Sequence, residues 1–298
     1  MFETLLKNPL FYLGLVLLAG VGYYLYKKAN EDKYFDIDIP MPDTHREDLL
    51  YGYYSSLANT YDQVKDHVNI FWYSHFFGLE RFVEIMQEIT MKVVLDVAPL
   101  CLQRSDQGGE IVCEDAEESL RNYFKTLKAY NVLHKITYLY PKDEPNIFMT
   151  SEAEHLKLIQ LVKRVAAEFE ELKDVKYAVI YAHGKPFWNS EHHDVVAIDN
   201  YGQKSQILTI GDHADLVKLL KPGQKTWLIP GAAFGQNPDP FVSYALAHPD
   251  EVDGVIPFLW FDDPAHKDVD YTGLEKADPA FREKWINAAN ICLNKQIQ

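Results

Sequence analysis

Between residues 49 and 261 the chain repeats one pattern eight times: a run of apolar, β-branched and aromatic residues, then a polar turn. The runs are LLYGYY (49–54), VNIFWY (68–73), KVVLDVA (92–98), ITYLY (136–140), YAVIYA (177–182), VVAID (195–199), TWLIPG (226–231) and GVIPFLWF (254–261). They are continuous rather than alternating, which marks strands buried on both faces, as in a parallel sheet. Helical spacing fills most of the gaps. Leu79, Phe82, Val83, Met86 and Ile89 share one helix face, as do Leu120, Tyr123, Phe124, Leu127 and Tyr130. Residues 154–173 read as a long amphipathic helix, with shorter helices over 61–67, 213–221 and 240–248 and a closing one from Pro279. Only 183–194 is too short and irregular for a full helix. Strands alternating with helices in one direction predict a (β/α)8 TIM barrel. A doubly wound open sheet would carry a Gly-rich first turn, and YGYYSSLAN does not.

The start of the chain follows a different rule. Residues 10–26 contain no charge over 17 positions and would rise about 25 Å as a helix, close to the ~30 Å hydrocarbon core. Tyr23, Tyr24 and Tyr26 with Lys27 and Lys28 make an aromatic and basic rim. A secretory signal would need a basic start and a small-residue cleavage site, and Glu3 offsets Lys7 while YYLYKKAN offers no such site. The expected organisation is therefore a single N-terminal transmembrane helix (1–28), an acidic, Pro-containing tether (29–47) and a barrel domain (48–298). Lys27, Lys28 and Lys33 favour a cytoplasmic barrel by the positive-inside bias, while the chemistry below favours the opposite side. The Gly-rich helix also allows assembly through the membrane.

The net charge of −15 and the absence of a basic cluster exclude a nucleic-acid partner. Three cysteines do not make a disulfide framework. Cys101 and Cys113 flank a small hairpin around Gly108 and Gly109, where a bridge and two free thiols are equally compatible with the sequence.

In such barrels the chemistry sits at the C-terminal strand ends. Those ends bring Ser55 and Ser56; Ser74 and His75; Asp96; Asp143 and Glu144; His183; Asp199, Asn200 and Tyr201; Phe234 and Gln236; and Trp260, Asp262 and Asp263. Carboxylates and aromatic rings dominate this rim, a combination suited to sugars: rings stack on pyranose faces, and carboxyls bind hydroxyls and move protons. Glycosidic cleavage needs a protonated acid at the leaving oxygen and a second carboxylate. Asp143 beside Glu144 raises its neighbour's proton affinity, which suits the acid. The candidates are Glu144, Asp199 and Asp143 for catalysis, with Tyr201, Trp260, Asp96, Asp262 and His75 around the substrate. The EHHD stretch at 191–194 precedes the sixth run, so it falls on the opposite barrel face, and no metal or other cofactor is expected.

YLYPKDEPN at the fourth run, VVAIDNYG at the sixth, KTWLIPGAAFG at the seventh and PFLWFDD at the eighth together resemble barrel-type glycoside hydrolases, over roughly residues 48–290. In the large retaining clan an Asn-Glu-Pro at the end of strand four carries the acid/base Glu. The resemblance places that role on Glu144, with Asp143 where the Asn stands. The clan's nucleophile Glu belongs at the end of strand seven, where this chain reads IPGAAFG and has no carboxylate. What the resemblance then implies is a membrane-anchored barrel acting on a carbohydrate with Asp199 or a strand-eight Asp as the second group. The alternative is a catalytically inactive barrel that binds carbohydrate or builds a membrane-associated assembly such as an envelope complex or a virion.

Overall fold

The computed structural model describes residues 46–54, 60–74, 78–106, 108–200, 206–261 and 272–295, with the side chains of 206–209 left aside. The expected membrane helix lies outside the described residues. Among the described residues no helix is long and apolar enough to cross a membrane.

Every apolar run contributes a strand. The strands are β1 (Leu50–Tyr51), β2 (Ile70–Ser74), β3 (Lys92–Asp96), β6 (Ile136–Tyr140), β7 (Lys176–Ala182), β8 (Val195–Asp199), β9 (Thr226–Ile229) and β10 (Val252–Val255), with a separate antiparallel hairpin of β4 (Leu102–Arg104) and β5 (Glu110–Val112). The eight form one parallel sheet in the order β1-β10-β9-β8-β7-β6-β3-β2. The two end strands meet through one residue. Asn69 donates its backbone N–H to Tyr51 O at 2.9 Å, while its side chain accepts from Tyr51 N at 2.7 Å and donates to Leu49 O at 2.9 Å. This clasp leaves a nearly closed (β/α)8 barrel. Gly52 makes the approach feasible, because a Cβ there would lie 2.3 Å from Ile70 O.

The helices are α1 (Tyr61–Val64), α2 (Leu79–Glu88), α3 (Ala98–Cys101), α4 (Ala116–Ala129), α5 (Pro145–Phe148), α6 (Glu152–Ala166), α7 (Gln206–Val217), α8 (Asp239–Ala247) and α9 (Pro279–Cys292). Their ends follow local chemistry. Ser151 accepts from Glu154 N at the start of α6, and Asp278 caps α9 with Pro279 in its first turn. The long helix read over 154–173 stops at Ala166, and a 3-10 turn at Glu170–Leu172 follows. Between β7 and β8 there is only the 3-10 turn Ser190–His192, so the degenerate helix stands where the sequence places it. The eighth run differs more. The strand ends at Val255, because Pro257 has no N–H for a ladder, and Leu259, Trp260 and Phe261 pack as a buried loop. Arg46, at the end of the expected tether, is already part of the barrel. It is buried and donates to Val252 O at 2.7 Å and Ala245 O at 3.2 Å.

Strand alternation separates two cores. Outward residues such as Phe71, Leu95, Leu139 and Leu228 pack under the helices. Inward residues fill the barrel with aromatic side chains: Trp72, Tyr138, Tyr140, Trp227 and Tyr54. Trp72 contacts Tyr140 and Trp227 edge-on at 4.5 and 5.9 Å. Gly254 leaves room for the indole, since a Cβ there would lie 3.0 Å from Trp227 Cδ1. The barrel is thus a plugged scaffold, and any ligand must bind at its mouth.

Candidate active site

Four of the sequence candidates lie at one end of this plug. Asp96, Asp143, Glu144 and Asp199 all follow strands at their C-terminal ends. Asp199 shares its strand face with the inward residues Val195 and Ala197, and Asp96 shares its face with inward Val94.

Glu144 is the most constrained of them. The β6–β7 ladder continues through a bridge between Asp143 and Ile180, and Glu144 N donates to Ile180 O at 3.0 Å. The chain then turns sharply. Glu144 adopts φ 41°, ψ 55°, a left-handed conformation that costs a non-glycine residue about 1 kcal/mol or more. Its carbonyl accepts from Ile147 N at 2.9 Å and Phe148 N at 3.1 Å, closing the single turn of α5 with Pro145 in first position. Asn146 holds the turn from beneath. Its buried amide donates to Ala182 O and accepts from Ala182 N, both at 3.2 Å. Asn146 therefore finishes the β7 edge, a role that the motif alone does not reveal.

The carboxyls interact directly. Glu144 is hydrogen-bonded to the side chain of Asp199. Two carboxyls can share a hydrogen bond only if one keeps a proton, so the pair carries a single charge over some pH range. Burial first, and the neighbouring Asp143 charge second, push Glu144 up to about 7, against the opposing effects of the Asp199 hydrogen bond and the Lys142 ammonium. Asp143 is also held above its ordinary value by burial, opposed by hydrogen bonds from Tyr54 and Tyr140. The Tyr140 hydroxyl donates to Asp143 Oδ1 at 2.7 Å. Lys142 is nearly buried and pairs with Glu110 at 2.6 Å. The hairpin that carries Glu110 thus braces the acid turn, and Thr150 N adds a bond to Glu110 O at 3.1 Å.

Chemically, this is a carboxyl poised to give or take a proton near neutral pH.

The remaining candidates divide. Asp96 accepts from Ala98 N at 2.9 Å, the first residue of the one-turn α3. Trp260 is a correction. It is buried in the outer core rather than placed on the rim, its indole N–H donates to Gln63 Oε1 at 2.7 Å, and its ring packs on Tyr53 and His67. Loss of the strand after Val255 removes the alternation that would have put it at a strand end. His75, Tyr201 and Asp262 lie outside the described residues. Of the EHHD stretch, Asp194 accepts from Tyr177 N at 2.7 Å at the start of β7, and buried His193 stacks on His155 at 5.7 Å. The Cys101 and Cys113 thiols are both free, although Cys113 N donates to Cys101 O at 2.9 Å across the hairpin mouth.

Two rim residues read from the sequence, His183 and Asn200, meet at a third that it did not single out, Asp212. His183 Nδ1 lies 3.2 Å from Asp212 Oδ2, and Asn200 donates to the same oxygen at 2.6 Å. His183 N also donates to Asp199 O at 3.2 Å. Strand order pointed to His183, but nothing in the pattern marked Asp212, which lies within α7.

No protein-family model and no curated protein matches the chain. Solved structures do. The chain is similar to the Ignisphaera aggregans GH53 catalytic domain at 13% identity, with a TM-score of 0.52 over 86% of this chain and 99% of that one. It is also similar to Saccharomyces cerevisiae Gas2p at 9% identity, with a TM-score of 0.53 over 81% of this chain and 60% of that one. At such identities the likeness shows the fold alone, a (β/α)8 barrel shared with glycoside hydrolases.

Proposed function

We propose that this protein is a glycoside hydrolase-like barrel that acts on a carbohydrate, with Glu144 as general acid. The observation that carries the reading is the Glu144 carboxyl itself. It sits at the strand-four end of the barrel mouth on a strained turn, is hydrogen-bonded to Asp199 and is raised to about 7. A group with that affinity is about half protonated at neutral pH and can pass its proton to a glycosidic oxygen. Asp143 keeps Glu144 protonated by its charge, and Asp199 is the second carboxylate, which an entering sugar must part from Glu144. Asp96, Tyr201, Asp262 and His75 are proposed to surround the substrate. The likeness to the GH53 domain and Gas2p supports the class. We extend the proposal to a single-pass anchor at residues 10–26 on the sequence pattern, and to an extracytoplasmic barrel on the carbohydrate chemistry, against the positive-inside bias of Lys27, Lys28 and Lys33.

A second reading has its own observation. Strand β9 runs into Pro230 and Gly231 without a carboxylate. That arrangement suits a barrel that binds carbohydrate without cleaving it. Glu144→Gln assayed on labelled neutral oligosaccharides separates the readings. Turnover lost in a folded variant supports the acid, and unchanged turnover removes it. Binding without cleavage in the wild type favours the module, and neither binding nor cleavage ends the carbohydrate reading.

A further inference from the structure

The turn that carries Glu144 also carries an apolar pair that the acid/base reading does not use. Four large hydrophobic side chains stand out as exposed among the described residues: Tyr130, Leu219, Ile147 at 48% and Phe148 at 43%. Two of the four are consecutive, and both belong to α5, the single turn that starts at Glu144. Isolated exposed hydrophobes need no explanation; a consecutive pair fixed to a strained acidic turn does.

The Phe148 ring is held in place. Its backbone N–H donates to Glu144 O at 3.1 Å. Its carbonyl packs against Gly109 of the hairpin so tightly that a Cβ on that glycine would lie 3.2 Å away. The Lys142 ammonium sits over the ring, 5.0 Å from its centroid. That lysine is itself fixed by the 2.6 Å pair with Glu110. A cation thus backs the ring, and much of the remaining surface faces solvent.

We propose that Phe148, with Ile147 beside it, is a stacking platform for a pyranose ring of a neutral oligosaccharide, at a subsite next to Glu144. The proposal rests on the carbohydrate reading above. Size and charge select the occupant. Two half-exposed side chains present far less than the ~800 Å² per partner of a stable protein interface, but they match one sugar face. Asp143, Glu144 and Asp199 nearby, together with the chain's net charge of −15, disfavour a uronic acid or a sulfated sugar. Lys142, the cation behind the ring, is already paired with Glu110. The platform would bind ground state and transition state alike, since it does not touch the reacting bond.

The test uses the full chain with neutral gluco-, manno- and galacto-oligosaccharides, followed by calorimetry and saturation-transfer NMR. Phe148→Ala should weaken binding of the preferred series by about three- to ten-fold, and Phe148→Trp should retain or tighten it. In turnover the Ala variant should raise KM with kcat near the wild-type value. Both variants alter an exposed side chain, so an unchanged melting temperature shows that they are folded; Ile147→Ser, with a smaller loss in affinity, gives an independent check. Equal affinity in wild type and Phe148→Ala, while the Glu144→Gln effect persists, overturns the platform and leaves the carbohydrate reading standing. A change in oligomeric state with sugar binding intact also overturns it, in favour of a protein contact. No sugar binding by the wild type overturns both.

Discussion

Acidification should unfold this barrel through its histidines before its surface carboxylates matter. His67, His155, His193 and His213 are all buried. Burial is the first cause in each case and pulls His67 and His155 down to about 4, His213 to about 3 and His193 well below its ordinary value. Unfolded, each would titrate near 6.5, so between that pH and the lowered value the unfolded chain binds protons that the native state refuses. Native stability therefore falls as pH drops through this window, by up to about 1.4 kcal/mol per histidine per pH unit. At pH 4.5 His67, His155 and His213 together withdraw about 8 kcal/mol, and His193 acts in the same direction. Glu144 works in the opposite sense. Its value of about 7 lies above that of an unfolded glutamic acid, so the native state binds the extra proton and gains about 3 kcal/mol over the same range. Asp143, raised by burial, adds to that gain. The net loss from the three histidines and Glu144, roughly 5 kcal/mol, reaches the lower end of the whole stability of an ordinary domain, about 5–15 kcal/mol. Urea unfolding followed by tryptophan fluorescence from pH 7.5 down to pH 5 measures the slope. The expected result is a steep decline, shallower by about 1.4 kcal/mol per pH unit in His155→Phe. A flat profile, or stability that rises on acidification, would refute the reasoning.

Two further outcomes follow from the site and the seam. Lys142→Met removes the cation that holds Glu144 down and leaves Glu110 unpaired, so the Glu144 carboxyl should titrate above about 7 by isotope-edited infrared spectroscopy while stability falls by about 3 kcal/mol; an unchanged Glu144 titration contradicts the coupling. Gly52→Ala would force a Cβ to within 2.3 Å of Ile70 O and should cost more than about 3 kcal/mol in chemical denaturation, whereas a near-neutral variant would show that the clasp at Asn69 tolerates a wider seam.

The barrel was legible because its strands are buried on both faces and so write themselves as unbroken apolar runs. The same property hid the eighth strand's end. Leu259, Trp260 and Phe261 are as apolar as any strand, and only Pro257 hints that the ladder has stopped. Trp260 was misplaced for that reason. Glu144 and Asp199 could be placed at one mouth from strand order, but not their contact. A hydrogen bond between side chains 55 positions apart depends on the left-handed turn at Glu144 and on Asn146 anchoring it to Ala182. Nor could spacing show that Lys142 reaches back to Glu110, because the hairpin between them is ordered by tertiary contacts rather than by its own pattern.

The position of β1 has a consequence for how the chain is made. Its ladder partner is β10, and Arg46 beside it binds Val252, 206 positions further on. At 5–20 residues per second, a ribosome needs about 10–40 s to synthesise that span. For all of that time the first strand has only the Asn69 clasp for company, and its backbone edge stays open. Closure then joins the most distant parts of the chain, the step with the largest loop entropy to overcome.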